Sequence, residues 1–237
     1  MSDKSEVSST GKSEILSHTD YNIFFESKLV DGVPVEVLDL GMLEVPTGEL
    51  VACDPLAYPD IPPFEIKVSP GSYPVKIYVA KTPDSGDRYA LAKLELNEGK
   101  AVKWVLALRE GEDINELKEK GDFFGFPVEA GLGGFFDLKA GLLYGNFVNE
   151  FMQANPQGNI YDDFFAREFK KNAILQEDPN DIGDWINFEI PGTGLNLTMF
   201  HSGYGDGTYP CYWGIDEQGN PVSLVIDFFV LLLPEEA

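Results

Sequence analysis

The chain has 237 residues, and its 17 Lys and Arg against 40 Asp and Glu give a formal charge of −23. With 43% hydrophobic and 13% aromatic residues it is no disordered acidic polymer, and the length suits one large domain or two small ones. So negative a surface excludes nucleic acid, whose binding needs clustered Lys and Arg, and excludes anionic membranes on the same ground.

Residues 1–17 are polar and Ser-rich, with no apolar signal-peptide core, and are expected to form a flexible tail before a single domain over residues 18–237. The longest apolar stretch, residues 222–233, is interrupted by Ser223 and Asp227 and is shorter than the ~20 residues of a membrane-spanning helix. Two cysteines, Cys53 and Cys211, cannot build a disulfide framework, although one bridge between them stays open. The expected compartment is a reducing cytoplasm.

Val75, Ile77 and Val79 alternate with Lys76 and Tyr78, which predicts a strand. Residues 90–96 and 102–108 repeat the pattern. Helices are expected only in the middle of the chain, a short charged one over residues 113–120 and two where Leu143, Phe147, Phe151 and Phe165, Phe169, Ala173 recur every four residues. Trp185 with Asn187, and Thr198 with Phe200, suggest further strands. Strands, then helices, then strands predict an α+β fold, mostly β, with sandwich-like antiparallel sheets and two or three packed helices. Residues 209–215 and 222–230 flank a turn-rich Asp216-Glu217-Gln218-Gly219-Asn220 and read as a hairpin. Antiparallel counting from Ile215 places Asp227 opposite Tyr209. Asp216 then falls at the far end from Asp206, roughly 30 Å away at ~3.3 Å per residue, so those acids cannot share one site.

Several short motifs occur in a recognisable order. They are Cys53-Asp54-Pro55-Leu56, Pro63-Phe64, Pro70-Gly71-Ser72-Tyr73-Pro74-Val75 and Phe126-Pro127-Val128-Glu129-Ala130-Gly131 with Asp137. Trp185, Ser202-Gly203-Tyr204-Gly205-Asp206-Gly207-Thr208-Tyr209-Pro210 and Asp227-Phe228 follow. This order resembles the bacterial family called domain of unknown function 4241, over about residues 48–229. Members carry Asp where Glu129 stands here, a longer reach that loosens any strict metal geometry. The resemblance implies a small, soluble, mainly bacterial protein and brings no agreed activity.

The residues themselves offer two chemistries. Asp54, Asp137, His201, Asp206 and Asp227 are the carboxylates and histidine from which a metal-dependent hydrolase would be assembled, with Asp54 and Asp137 as metal ligands. Each has a structural reading: Asp54 as a turn starter before Pro55, Asp206 as the cap of its own glycine-rich turn, Asp227 as a carboxylate buried beside donors. Cys53 reads as a nucleophile or a structural thiol. No P-loop, Rossmann fingerprint or nucleophile elbow occurs, so no cofactor is expected. The other chemistry is a non-catalytic acidic binding protein, an immunity-type neutraliser of a basic toxin. Tyr204, Asp206 and Tyr209 would contact the partner there, with Tyr73, Tyr78 and Tyr212 as further exposed anchors.

Overall fold

The computed structural model describes residues 14–119 and 121–231. Runs of apolar residues at period two, cut by Gly, Pro and Asn turns, form twelve strands among these residues. They are β1 (Leu29–Val30), β2 (Val33–Val45), β3 (Leu50–Cys53), β4 (Gly71–Thr82), β5 (Gly86–Glu95) and β6 (Lys103–Leu106). The rest are β7 (Gly125–Val128), β8 (Leu132–Asp137), β9 (Trp185–Glu189), β10 (Asn196–His201), β11 (Gly207–Ile215) and β12 (Pro221–Asp227). Three helices accompany them: α1 (Asn22–Glu26), α2 (Leu138–Ala154) and α3 (Ala166–Lys170). No helix of the described residues is long and apolar enough to cross a membrane.

The strands form two antiparallel sheets, as expected of a mostly β, α+β domain. The larger runs β1-β2-β4-β5-β12-β11-β6, with β7 pairing the outer half of β11; the smaller runs β3-β8-β10-β9. The smaller sheet is a middle layer. Leu50, Ala52, Phe135 and Phe200 face the larger sheet in one core, while Val51, Cys53, Phe136, Leu197 and Met199 meet Tyr144, Phe165 and Phe169 in the other. Strands buried on both faces read as continuous apolar runs, which explains Leu132-Gly133-Gly134-Phe135-Phe136. Gly134 is required there, since a Cβ would lie 2.5 Å from the Thr198 carbonyl and 2.6 Å from the Pro55 ring.

Three expectations need correction. Glu14, Ile15, Leu16 and Ser17 do not all belong to a tail: Ser17 N–H donates to the Trp104 carbonyl and Leu106 N–H to the Ile15 carbonyl, both at 2.9 Å. Leu16 lies opposite Val105, so the segment extends the edge at β6 through its backbone, and residues 1–13 lie outside the described chain. The charged helix over residues 113–120 is a single 3₁₀ turn, Ile114–Glu116, capped by the Asp113 carboxylate. Only Ile114 and Leu117 are apolar there, so no helical face can be buried, and packing of such a face supplies most helix stability. Third, the β11–β12 register shifts between Gly214 and Ile215, which sets Cys211 opposite Ile226 and carries Asp227 one residue past Tyr209, level with Pro210. The second aromatic helix also starts irregularly, as a π turn over Tyr161–Phe165 that leads into α3.

Gly134→Ala should destabilise the fold by about 1–3 kcal/mol in urea denaturation, because neither the Thr198 backbone nor the proline ring can retreat cheaply. Gly145→Ala, on α2 with open space around its Cβ, should instead stabilise by about 0.5–1 kcal/mol.

Candidate functional site

Asp54 and Asp137 are buried structural acceptors. Asp54 follows β3; its Oδ1 accepts the N–H of Leu56 (3.1 Å) and Ala57 (3.3 Å), and its Oδ2 accepts those of Glu129 (3.1 Å) and Ala130 (2.6 Å). One carboxylate thus closes the turn at Pro55 and ties it to the chain between β7 and β8. Asp137 caps α2 by accepting Lys139 N–H (2.9 Å), and its other oxygen takes the Thr47 N–H (2.9 Å) and hydroxyl (2.8 Å). Donors already occupy both oxygens of each acid.

The thiols are structural as well. Cys53 and Cys211 are both free and buried. Burial, reinforced by the Asp54 charge, pushes the Cys53 thiol well above its ordinary range, and burial pushes Cys211 up to about 12. Arg109 opposes both shifts without overcoming them. A thiol so raised is neutral at pH 7 and a poor nucleophile. Arg109 itself, 5% exposed, lies with its guanidinium 4.6 Å from the Phe64 ring centre and donates to the carbonyls of Ala52 (2.9 Å) and Pro62 (3.2 Å). Glu112 pairs with it at 3.5 Å.

In the glycine-rich loop between β10 and β11, Tyr204 is exposed, with the Arg88 guanidinium 5.6 Å from its ring centre. Asp206 is exposed too, but the bonds that fix the loop come from other residues. Ser202 Oγ–H donates to the Gly205 carbonyl (2.9 Å), and Tyr209 Oη–H reaches the carbonyls of Gly205 (2.8 Å) and Ser202 (3.1 Å). Tyr209 is therefore not an exposed anchor: it is buried, its ring 5.0 Å from that of Phe228. Tyr78 is buried beneath α1, and Tyr73 and Tyr212 are half-buried, because β4 and β11 run inside the sheet rather than along its rim. His201 pairs with Asp184 at 3.2 Å, away from Ser202's loop bond. Among the described residues, no three His, Cys, Asp or Glu side chains gather as a metal ion would need.

Asp227 differs from these acids. β12 alternates so that Leu224 and Ile226 enter the inter-sheet core while Val225 and Asp227 point the other way. That opposite face is covered by α1 and the residue before it: Phe25 lies against Tyr78 and Trp104, and the Tyr21 ring sits 5.5 Å from Tyr212 and 5.2 Å from Trp104. Asp227 is 4% exposed; Oδ2 accepts the Tyr21 hydroxyl and Oδ1 the Phe229 N–H, both at 2.8 Å. Burial outweighs these two bonds and raises its carboxyl to about 6. Burial and the Asp227 charge push the Tyr21 phenol up, and burial does the same to Tyr212. Beside Asp227 opens a cavity of about 100 Å³, walled by Tyr21, Tyr212, Phe123 and Phe229, with Ser17 and Asp122 on its lining. Phe229 holds φ at +53°, the left-handed region that a bulky L-residue rarely adopts.

Of the candidates read from sequence, then, Asp54 and Asp137 serve the frame, His201 and Asp206 lie at the surface, and Asp227 borders the cavity. Tyr21, Phe123 and Phe229 complete that cavity without having been singled out. The apolar run Tyr21-Asn22-Ile23-Phe24-Phe25, directly after the polar segment, is the signal that points to a covering element.

The fold and its buried acids define a two-sheet α+β domain with helices on its outer faces. Residues 43–226 match the family described as protein of unknown function (DUF4241), and the chain belongs to that family. No curated protein and no solved structure matches it.

The raised Asp227 carboxyl sets a sign for pH dependence. The folded protein holds this proton to higher pH than the unfolded chain, so the favourable contribution is present below about pH 4 and is lost as pH rises through about 6. The unpaired charge then costs up to ~3 kcal/mol at neutral pH. In Asp227→Asn, Oδ1 can still accept the Phe229 N–H and Nδ2 can donate to Tyr21 Oη. Denaturation curves of wild type and this variant should converge near pH 4 and separate above pH 6, with the variant the more stable; parallel curves would refute the assignment.

Proposed function

We propose that this protein is a non-catalytic acidic binding protein whose partner is a basic protein, in an immunity-type role against a toxin inside the bacterial cytoplasm. The observation that carries this reading is the division of its carboxylates. Those that are buried are held by backbone amides or by Tyr21, while the excess behind the −23 charge lies outside. It is dense in the long connection from β6 to β7, where Glu110, Asp113, Glu116, Glu119 and Asp122 are all exposed. Glu112, Asp113 and Asp122 hold that connection in shape: Glu112 accepts Arg109 N–H at 2.7 Å, Asp113 accepts Asn115 N–H at 2.9 Å, and Asp122 accepts the N–H of Lys118 and Glu119 at 2.9 Å. A pre-formed anionic rim steers a cationic partner without an ordering cost at encounter. Tyr204 and Asp206 offer a second exposed contact on the glycine-rich loop.

The hydrolase alternative needs Asp54, Asp137, His201, Asp206 and Asp227 to act as one centre, and the separate partners of these residues lend it no support. Basic proteins retained from cell extract at about 50 mM salt should elute at high salt. The association rate of the retained partner should fall at least ~10-fold between about 50 and 500 mM salt, where the screening length shrinks several-fold. Replacing Glu110, Glu116 and Glu119 together by Gln should slow association while leaving dissociation nearly unchanged. Absence of any basic partner, or association indifferent to salt and to these replacements, would overturn the proposal.

A further inference from the structure

We propose that the cavity beside Asp227 binds an organic ammonium group, Asp227 supplying the opposite charge and the rings of Tyr21, Tyr212, Phe123 and Phe229 the walls. A buried carboxylate needs a cation or a full set of donors: Asp54 and Asp137 accept four and three hydrogen bonds, whereas Asp227 accepts two. Here the two donors are the Tyr21 hydroxyl and the Phe229 amide, and among the described residues no Lys or Arg lines the cavity.

The empty space adjoins this uncompensated charge, and its walls are aromatic. Ring faces carry the negative side of a quadrupole, so a carboxylate framed by rings selects a cation with apolar substituents over a hydrated metal ion or an anion. About 100 Å³ holds several heavy atoms, since one water needs only about 10–15 Å³ of such space. The Phe229 and Phe123 rings, 5.5 Å apart, form one wall, and Phe229 is placed there by its left-handed backbone, a strained conformation of the kind that collects at ligand clamps. Asp122 on the lining adds negative potential. The site goes beyond the surface-charge reading and stands without it: a single desolvated charge in an aromatic pocket recognises an amine whether or not the outer rim meets a basic protein.

The groups facing the cavity that bear on pH are Tyr21 and Tyr212, both neutral across the useful range, and Asp122 and His18 from the covering loops. A proton on Asp227 competes with the ligand, so affinity should fall about tenfold from pH 7.5 to pH 5. n-Butylammonium chloride titrated into the isotopically labelled protein should give saturable shifts at Tyr21 and Phe229, whereas the neutral 1-pentanol should bind more weakly and without pH dependence. Asp227→Asn should weaken butylammonium binding at least tenfold and abolish the pH effect, while keeping His18 and Asp122 in place. Tyr212→Leu, which leaves the charge, should weaken binding about 2- to 5-fold and retain the pH effect. Nα-acetyl-lysine methylamide binding as well as butylammonium would identify a protein side chain as the source of the amine, and its exclusion a free amine. Equal affinity of wild type and Asp227→Asn for butylammonium, equal affinity for amine and alcohol, or no saturable shift would overturn the proposal.

Discussion

The four-stranded sheet has no wet face, and the rest of the architecture answers to that constraint. One side lies on the larger sheet and the other under α2 and α3, so every inward and outward position along β3, β8 and β10 up to His201 must be apolar or internally satisfied. Two glycines let β8 approach its neighbours closely, Gly133 against the rings of Phe200 and Phe228 and Gly134 against Pro55. Polar groups that enter this region do so as connectors. Asn187 and Asn196 donate to the Leu40 and Met42 carbonyls at the β2 bulge, fastening the larger sheet to the smaller where their ladders part.

The charged groups obey the same rule by different means. Asp54 and Asp137 each bring several amides to one carboxylate, and Arg109 spreads its donors over two carbonyls and Glu112. Asp227 is the exception, with two neutral donors and an open space beside it. The molecule thus separates its acids into those that hold the chain, those that make the outer field, and one that is buried with two donors beside an open cavity.

What could be read from the residues followed physical period. Strands with one polar face, such as β4 with its Lys76, and the helix carrying Leu143, Phe147 and Phe151 announced themselves by spacing. The β11–β12 hairpin was legible from its turn, but the bulge was not: the extra residue is Val222 on β12, between the Gly214–Ser223 and Ile215–Pro221 pairs, and an apolar strand residue carries no local bulge signal. The apolar surroundings of Asp227 were visible on the strand itself; what covers them lay two hundred residues earlier, in a segment whose polar start disguised its role. Tyr209 and Tyr78 were misplaced for a related reason. A tyrosine has an apolar body and a polar tip, and only the third dimension shows which of them the chain uses.

The sheet order has a consequence for assembly. β12 lies between β5 and β11, so the halves of the larger sheet built from residues 29–95 and 103–215 join only through residues 221–227. Until that segment leaves the ribosome, β5 and β11 each present an unpaired hydrogen-bonding edge with an apolar flank, the condition under which nascent chains associate with one another. The strand that ends at Asp227 is in effect the keystone of the larger sheet.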